Sequence, residues 1–369
     1  MLKLAILGAN GFIGGRLVEF LHLTGEYKVC PIVRNFPGLA RLARFDLDWR
    51  IADARDEGAL KKAFEGCDLL VHAVTGDEKM IADTLAPVYR AAQSRKIKRM
   101  VYLSSASVHG QDPDPGTDEN SALHENHPLA YNNAKVNAER KLLQLRAQGD
   151  VELIMLRPGI VFGPRSRWVS TLAEELLAGT AYLVDGGSGI CNSIYVDNVI
   201  HAIRLSFLAD NSADKSANLI GDRERVTWKD FYCAIAKGLG ISEATIANLK
   251  PPVFERKWKR HLGALRSSAP VQAVLPFFPQ RSKTAVKAAI SAWRQNGENS
   301  PWQSPVQAAP VATQELALLH QCRWQFPFEK ARRTIGYEPV ISFAEGCRRS
   351  IEWLKFAGYP VENASMVEV

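Results

Sequence analysis

Tyr131 and Lys135 stand four residues apart, and Ser105 lies about one helix upstream of them. A four-residue separation on a helix puts both side chains on one face, one turn apart. A free tyrosine has a pKa of about 10, too high for efficient proton transfer near neutrality. A neighbouring ammonium favours the phenolate and lowers that value. The pair can then take a proton from an alcohol, or give one to a ketone, while Ser105 holds the oxygen. Such chemistry also needs a group that takes or gives the hydride. Gly8-Ala9-Asn10-Gly11-Phe12-Ile13-Gly14 offers its place, a glycine turn between an apolar run and helix-like apolar spacing. Gly8 lets the chain turn tightly, Gly11 lets backbone approach a pyrophosphate, and Gly14 lets helix pack on strand. Asn10, Phe12 and Ile13 complete the turn at a helix N-terminus, whose N–H groups and dipole favour phosphate. The spacing is G-x-x-G-x-x-G, and a dinucleotide carrying nicotinamide is the implied cofactor. Tyr-x-x-x-Lys alone arises often by chance; its order after the glycine turn and a serine-tipped strand is what carries the reading.

The elements that must position these groups are legible around them. Lys3–Leu7 is a short apolar run, expected as a buried parallel strand, and Phe12–His22 as the helix it feeds. A second strand over Lys28–Val33 ends at Arg34, with Arg41 and Arg44 nearby. An arginine at that point accommodates a ribose 2′-phosphate, where an acidic residue would bond the 2′-hydroxyl, so NAD(P) is expected with NADP favoured. Asp53 follows a further short strand and is expected at the adenine amino group. Asp68–Ala73 reads as a fourth strand that brings Ala73 alongside the cofactor. Met100–Leu103 reads as a fifth, with Ser104–Gly110 at its carboxyl end, where ligands bind in open α/β sheets. The expected class is α/β, a Rossmann-type doubly wound parallel sheet with a smaller C-terminal substrate-binding lobe. Residues 1–165 form the cofactor domain and 193–215 return to it. Residues 166–192 and 216–369 form the lobe, with a basic insertion at about 251–313.

With these motifs in order, the chain resembles the extended short-chain dehydrogenase/reductases, the NAD-dependent epimerase/dehydratase group. The resemblance extends through Leu156–Arg165, Ile194–Val199 and Lys330–Pro339, followed by an expected helix over Phe343–Phe356. It implies that Tyr131 is the acid/base, Lys135 its tuner and ribose ligand, and Ser105 the substrate-orienting residue. It also implies Pro158 at the cofactor, and His109, Ile160, Arg165 and Asn192 at the substrate. Departures narrow the activity. Sugar-nucleotide dehydratases carry Asp and Glu where this chain has Ala106 and Ser107, so water elimination lacks its acid and base. Ile160 replaces an asparagine that commonly holds a substrate pyrophosphate. Asn218–Asp222 and Val226–Tyr232 are similar to sterol-dehydrogenase-like members. The expected function is hydride transfer at a secondary alcohol or ketone, of a sugar nucleotide first and of a lipophilic ring alcohol second. A non-catalytic cofactor sensor on the same fold is the alternative from another class.

The 369 residues suffice for one large or two medium domains. Six cysteines lack C-x-x-C spacing, so no metal is expected. A strand beginning at residue 3 and the absence of a long apolar run point to a cytoplasmic protein. Residues 251–300 hold nine basic residues against two acidic ones, a local excess equal to the whole chain's net +7. Aromatics interleave with these cations, which suits a solvated lid or peripheral membrane contact through 251–300. No recognition motif for nucleic acid accompanies the charge. Asn299–Thr313 reads as a flexible connector, and the resemblance implies a homodimer around a small-molecule substrate.

Overall fold

The computed structural model describes residues 1–251 and 312–362. The basic insertion, apart from its edges at 251 and 312–313, therefore lies outside the described residues. Seven parallel strands make the central sheet: β1 (Lys3–Leu7), β2 (Lys28–Val33), β3 (Arg50–Ile51), β4 (Leu69–His72), β5 (Arg99–Leu103), β6 (Glu152–Pro158) and a last one at Ser216–Ile220. Their spatial order, with that last strand labelled β10, is β10-β6-β5-β4-β1-β2-β3. The order reverses between β1 and β4, and such a reversal opens a crevice at the carboxyl ends of the strands.

Alternation along each strand divides the core in two. In β1, Ala5 and Leu7 face one layer with Cys30, Ile32 and Leu70, while Leu4 and Ile6 face the other with Val29, Val33 and Val71. Helices α2 (Glu57–Ala63), α3 (Glu78–Ser94) and α4 (Ala130–Ala147) cover the first face. Helices α1 (Phe12–Thr24) and α6 (Val196–Leu208) cover the second. Burial on both faces explains why these strands read as continuous apolar runs.

The smaller lobe has its own core, centred on Phe162, Trp228 and Phe231. Two short parallel pairs belong to it: β7 (Ile160–Phe162) with β9 (Ser193–Tyr195), and β8 (Tyr182–Val184) with β11 (Ala247–Leu249). Helices α5 (Arg167–Leu177), α7 (Trp228–Gly238), α8 (Gln314–Leu319) and α10 (Phe343–Phe356) pack around them, and α9 (Glu329–Ile335) packs back against the large sheet.

The boundary expected at 216 is corrected. Ser216–Ile220 is an edge strand of the large sheet, in register with β6 from Ser216–Ile154 to Ile220–Pro158. Its five-residue, half-polar sequence carries no long apolar signal. The partner strand, with Asn218 bonded to Thr334 of α9, holds it there.

Candidate active site

The glycine turn is built by close packing. Gly8 has φ +89°, and a Cβ there would meet the Ala73 carbonyl at 2.8 Å. A Cβ on Gly14 would lie 2.3 Å from the Gly8 oxygen, so only glycine lets α1 seat on β1. The start of α1 is capped by Gly11 without a side-chain hydrogen bond, so no cap side chain takes its first-turn N–H groups. A cleft of about 300 Å³ opens there, lined by Gly8, Asn10, Gly11, Arg34, Asp53 and Ala73 among others. These six lie on four separate segments, and the sheet gathers them. The cradle that any Cβ would fill, beside first-turn N–H groups left without a side-chain cap, fits a dinucleotide pyrophosphate.

Three residues expected at the cofactor are placed otherwise. Gly14 acts through packing, and the Ile13 side chain sits against both cores. Pro158 ends β6 and lines neither cavity. Asp53 is in the cleft, but its carboxylate is already engaged by the Arg55 guanidinium at 2.9 and 2.7 Å. That pairing draws its pKa down to about 2.

Tyr131 sits in the first turn of α4 and is 36% exposed as a whole residue. Its hydroxyl faces the side chains of Thr75 and Ser105, whose polar groups favour the phenolate. Burial nevertheless outweighs those groups and pushes the phenol above its usual value. Lys135 is not among the groups that set this shift in the chain without cofactor. Lys135 Nζ instead donates to the Leu103 carbonyl at 2.8 Å and to the Tyr102 hydroxyl at 3.3 Å. It lies 5.8 Å from the centre of the Tyr131 ring. A lysine only 2% exposed must find acceptors within the fold, and the end of β5 offers them. Burial lowers its own pKa to about 8.

One turn further along α4, Glu139 is buried against β6. It accepts from Arg157 at 2.9 and 2.6 Å and from Ser104 at 2.5 Å. Arg157 also contacts His109 Nε2 at 3.1 Å. Burial, with the Arg157 charge second, drops the His109 pKa to about 3, so the ring is neutral. His109 packs on Phe326 and does not line the substrate cavity, contrary to expectation. The network ties the helix bearing Tyr131 and Lys135 to the strands bearing Ser104 and Arg157.

A second cavity of about 400 Å³ lies between the sheet and the smaller lobe. Ser105, Ile160, Arg165 and Asn192, expected at the substrate, line it together with Tyr131, and so does Phe12, which was expected at the cofactor. Asn192 lines it with its amide already committed, donating to the Trp324 carbonyl at 3.0 Å and accepting from Phe326 N–H at 2.8 Å. Its role is to hold the returning chain against β9.

Sequence reasoning missed Trp168, Leu319, Phe326, Arg167 and Glu315 on this cavity, and Thr75 in the cofactor cleft. Thr75 lies just past β4, and the carboxyl-end rule could have found it. Glu315, Leu319 and Phe326 arrive from beyond residue 311 and carry no local signal. Because Thr75 lines one cavity and Ser105 the other, the Tyr131 hydroxyl between them marks where the two meet.

Comparison with known proteins follows the same lines. The model of the NAD dependent epimerase/dehydratase family matches residues 4–220. The chain is 23% identical over 338 residues to a 3beta-hydroxysteroid-dehydrogenase/decarboxylase, isoform 1, of Arabidopsis thaliana, covering 86% of this chain and 69% of that one. It is 24% identical over 364 residues to a 3 beta-hydroxysteroid dehydrogenase/Delta 5→4-isomerase of Mycobacterium tuberculosis, covering 92% and 87%. Among solved structures, UDP-glucuronic acid 4-epimerase from Bacillus cereus, in complex with UDP-glucuronic acid and NAD, superposes with a TM-score of 0.68. There the identity is 15% and the coverage 96% of this chain and 100% of that one, a likeness of fold.

Proposed function

The chain belongs to the NAD-dependent epimerase/dehydratase family, and from that premise we propose that it oxidises or reduces a lipophilic secondary alcohol or its ketone, with Tyr131 as the proton-handling group. The family and its neighbours are NAD-dependent epimerases, dehydratases and dehydrogenases, and this chain is an enzyme of that oxidoreductase or epimerase kind. The observation that carries the proposal is the place of the Tyr131 hydroxyl, at the seam between a cleft that fits a dinucleotide and a second cavity.

A bound nicotinamide supplies the hydride acceptor or donor. Tyr131 then takes the proton from the substrate oxygen or returns it. Ser105 and Thr75 orient that hydroxyl, and Lys135 holds positive charge one turn below it. The buried Glu139–Arg157 pair fixes the helix so that these groups keep their spacing.

Substrate class is read from the walls. Phe12, Ile160, Val161, Trp168, Ile190 and Phe326 make most of the cavity apolar, and Ile160 offers no hydrogen bond to a pyrophosphate. This favours a ring alcohol of the kind named for the curated relatives. A sugar nucleotide is the second reading, favoured by Arg165 and Arg167 on the same cavity. Turnover assays with loaded enzyme, on a hydroxysteroid and on UDP-glucose, separate the two. Replacing Tyr131 by Phe should lower turnover by about 10²–10⁴-fold with cofactor affinity nearly unchanged; retained turnover refutes the assignment.

NADP preference is part of the proposal, supported by Arg34, which lines the cofactor cleft and makes no ion pair with a described residue. A homodimer through α3 and α4 is supported by a groove of about 810 Å³ between them, lined by Leu85, Ala130, Ala134 and Ala138 among others. Sedimentation would test it, with Ala134→Arg expected to give monomer. Among the described residues no helix is long and apolar enough to cross a membrane. Peripheral contact through 251–300 in a cytoplasmic enzyme stays a proposal, and failure to bind anionic vesicles would overturn it.

A further inference from the structure

Tyr102 spends its hydroxyl unlike the other tyrosines buried in the two cores of the sheet. Tyr89 and Tyr337 donate theirs to backbone carbonyls, of Val151 at 3.0 Å and of Gly221 at 2.9 Å. Tyr102, 1% exposed, donates to no described residue, and its oxygen accepts from Lys135 Nζ at 3.3 Å. The contact follows from the geometry of strand and helix. Residues two apart on a strand share a face and lie about 6.6 Å apart. Residues four apart on a helix also share one, about 6 Å along its axis. The two steps match, so Tyr102 and Ser104 at the end of β5 meet Lys135 and Glu139 of α4 as successive rungs.

The rungs differ in how their charges are met. Glu139 has Arg157 as a full counter-charge besides Ser104. The Lys135 ammonium, among the described residues, is hydrogen-bonded to neutral oxygens alone, the Leu103 carbonyl at 2.8 Å and the Tyr102 hydroxyl. Titratable groups bear on it from three elements: Glu139 and Tyr131 on its own helix, Tyr102 on β5 and His72 on β4. Glu139 is already shared between Arg157 and Ser104. His72 lies beside Tyr102 in the strand register and packs edge-on to its ring at 5.3 Å, with both nitrogens unpartnered. Burial, with the Lys135 charge second, drops its pKa to about 3, so it adds no competing cation. A buried ammonium stays charged only while its hydrogen-bond acceptors are kept, and Tyr102 supplies one of two.

We propose that the Tyr102 hydroxyl positions Lys135, holding its ammonium against β5 one turn below Tyr131 and keeping it charged near neutrality. Tyr102 is then a positioning residue that acts through Lys135. A phenylalanine at 102 would fill the same space and lack the one atom that matters. The proposal deepens the functional reading above and rests on it for the use made of that charge.

The test titrates Lys135 directly in the full chain without cofactor, by NMR of isotope-labelled lysine side chains, with the Lys135 signal identified by its loss in K135M. The wild-type midpoint should lie at about 8. In Y102F it should fall by about one unit, the size that one hydrogen bond to a charged group supplies. H72F disturbs the same packing and keeps the hydroxyl, so it should leave the midpoint in place. An unmoved midpoint in Y102F overturns the proposal. An equal fall in both variants also overturns it, because packing alone would then set the midpoint. Turnover of a hydroxysteroid and of UDP-glucose by the loaded enzyme is measured alongside. On the lowered midpoint the charged fraction at pH 8 drops about fivefold and at pH 6 hardly at all, so kcat of Y102F should fall at pH 8, recover towards pH 6, and leave KM little changed. A lowered midpoint with kcat at pH 8 intact overturns the positioning role. A lowered midpoint in a chain that turns over neither substrate upholds the hold on Lys135 and overturns the functional reading instead.

Discussion

Replacing Arg157 by Met tests whether the Glu139 pair fixes the reacting helix. In the wild type Glu139 is 2% and Arg157 3% exposed, and two hydrogen bonds join them. Met fills a similar volume, so the change removes charge more than packing. It leaves a buried carboxylate with Ser104 as its remaining donor, and it takes from His109 the guanidinium that faces Nε2. Breaking a buried pair from one side costs about 3–5 kcal/mol. The carboxyl can escape part of that by taking up a proton. From an ordinary pKa of about 4.3, protonation at pH 7 costs about 3.7 kcal/mol, at about 1.36 per unit, and this caps the loss. A stability loss of about 3 kcal/mol at pH 7 is expected, or roughly 6–12 °C in melting temperature for a domain of this order. The sign with pH follows. A carboxyl that prefers its neutral form in the folded state destabilises above its unfolded pKa and ceases to do so below it. The loss should shrink to about 1 kcal/mol at pH 5 by the same arithmetic. Urea unfolding of R157M and of E139L/R157M at both pH values is the assay. Removing both charges should return the chain to within about 1 kcal/mol of wild type. A loss under 1 kcal/mol in R157M at pH 7, or one that does not shrink at pH 5, refutes the reasoning.

Lys135→Met should stabilise the free chain near neutrality by about 1–2 kcal/mol while abolishing turnover. The folded pKa of about 8, against about 10.4 unfolded, means burial disfavours the ammonium below pH 8. Above it the folded lysine is neutral, so the gain should fade towards pH 10; thermal melts across that range check it, and a gain that grows with pH would sink the idea. Gly14→Ala should lose cofactor binding and melt well below wild type, since its Cβ would lie 2.3 Å from the Gly8 oxygen; titration with NADH decides it. Arg34→Ala should weaken NADPH at least tenfold relative to NADH, about 1.4 kcal/mol, and an unchanged ratio would remove the basis for NADP preference.

The sequence by itself determined the cofactor half. Buried parallel strands are continuous apolar runs, a glycine turn tolerates no Cβ, and a four-residue spacing fixes two side chains on one helical face. These are local constraints, so Lys3–Leu7, the turn from Gly8 to Gly14, and the pair Tyr131 and Lys135 could be read without a partner in view. The helix Phe343–Phe356 was expected from the family resemblance, and the structure starts it at a Ser342 cap.

What the tertiary structure decided is where side chains spend their polar atoms. Lys135 turns to the Leu103 carbonyl because the end of β5 is beside it. Asn192 holds the 324–326 segment, and Asp53 is taken by Arg55. His109, expected at the substrate, is instead neutral against Arg157. The substrate cavity itself is assembled by Phe12, Trp168, Glu315 and Phe326, which lie more than 300 residues apart at the extremes. No periodicity links such positions, because their proximity follows from packing the lobe on the sheet. Ser216–Ile220 shows the same limit, since an edge strand is fixed by the strand it pairs with more than by its own residues.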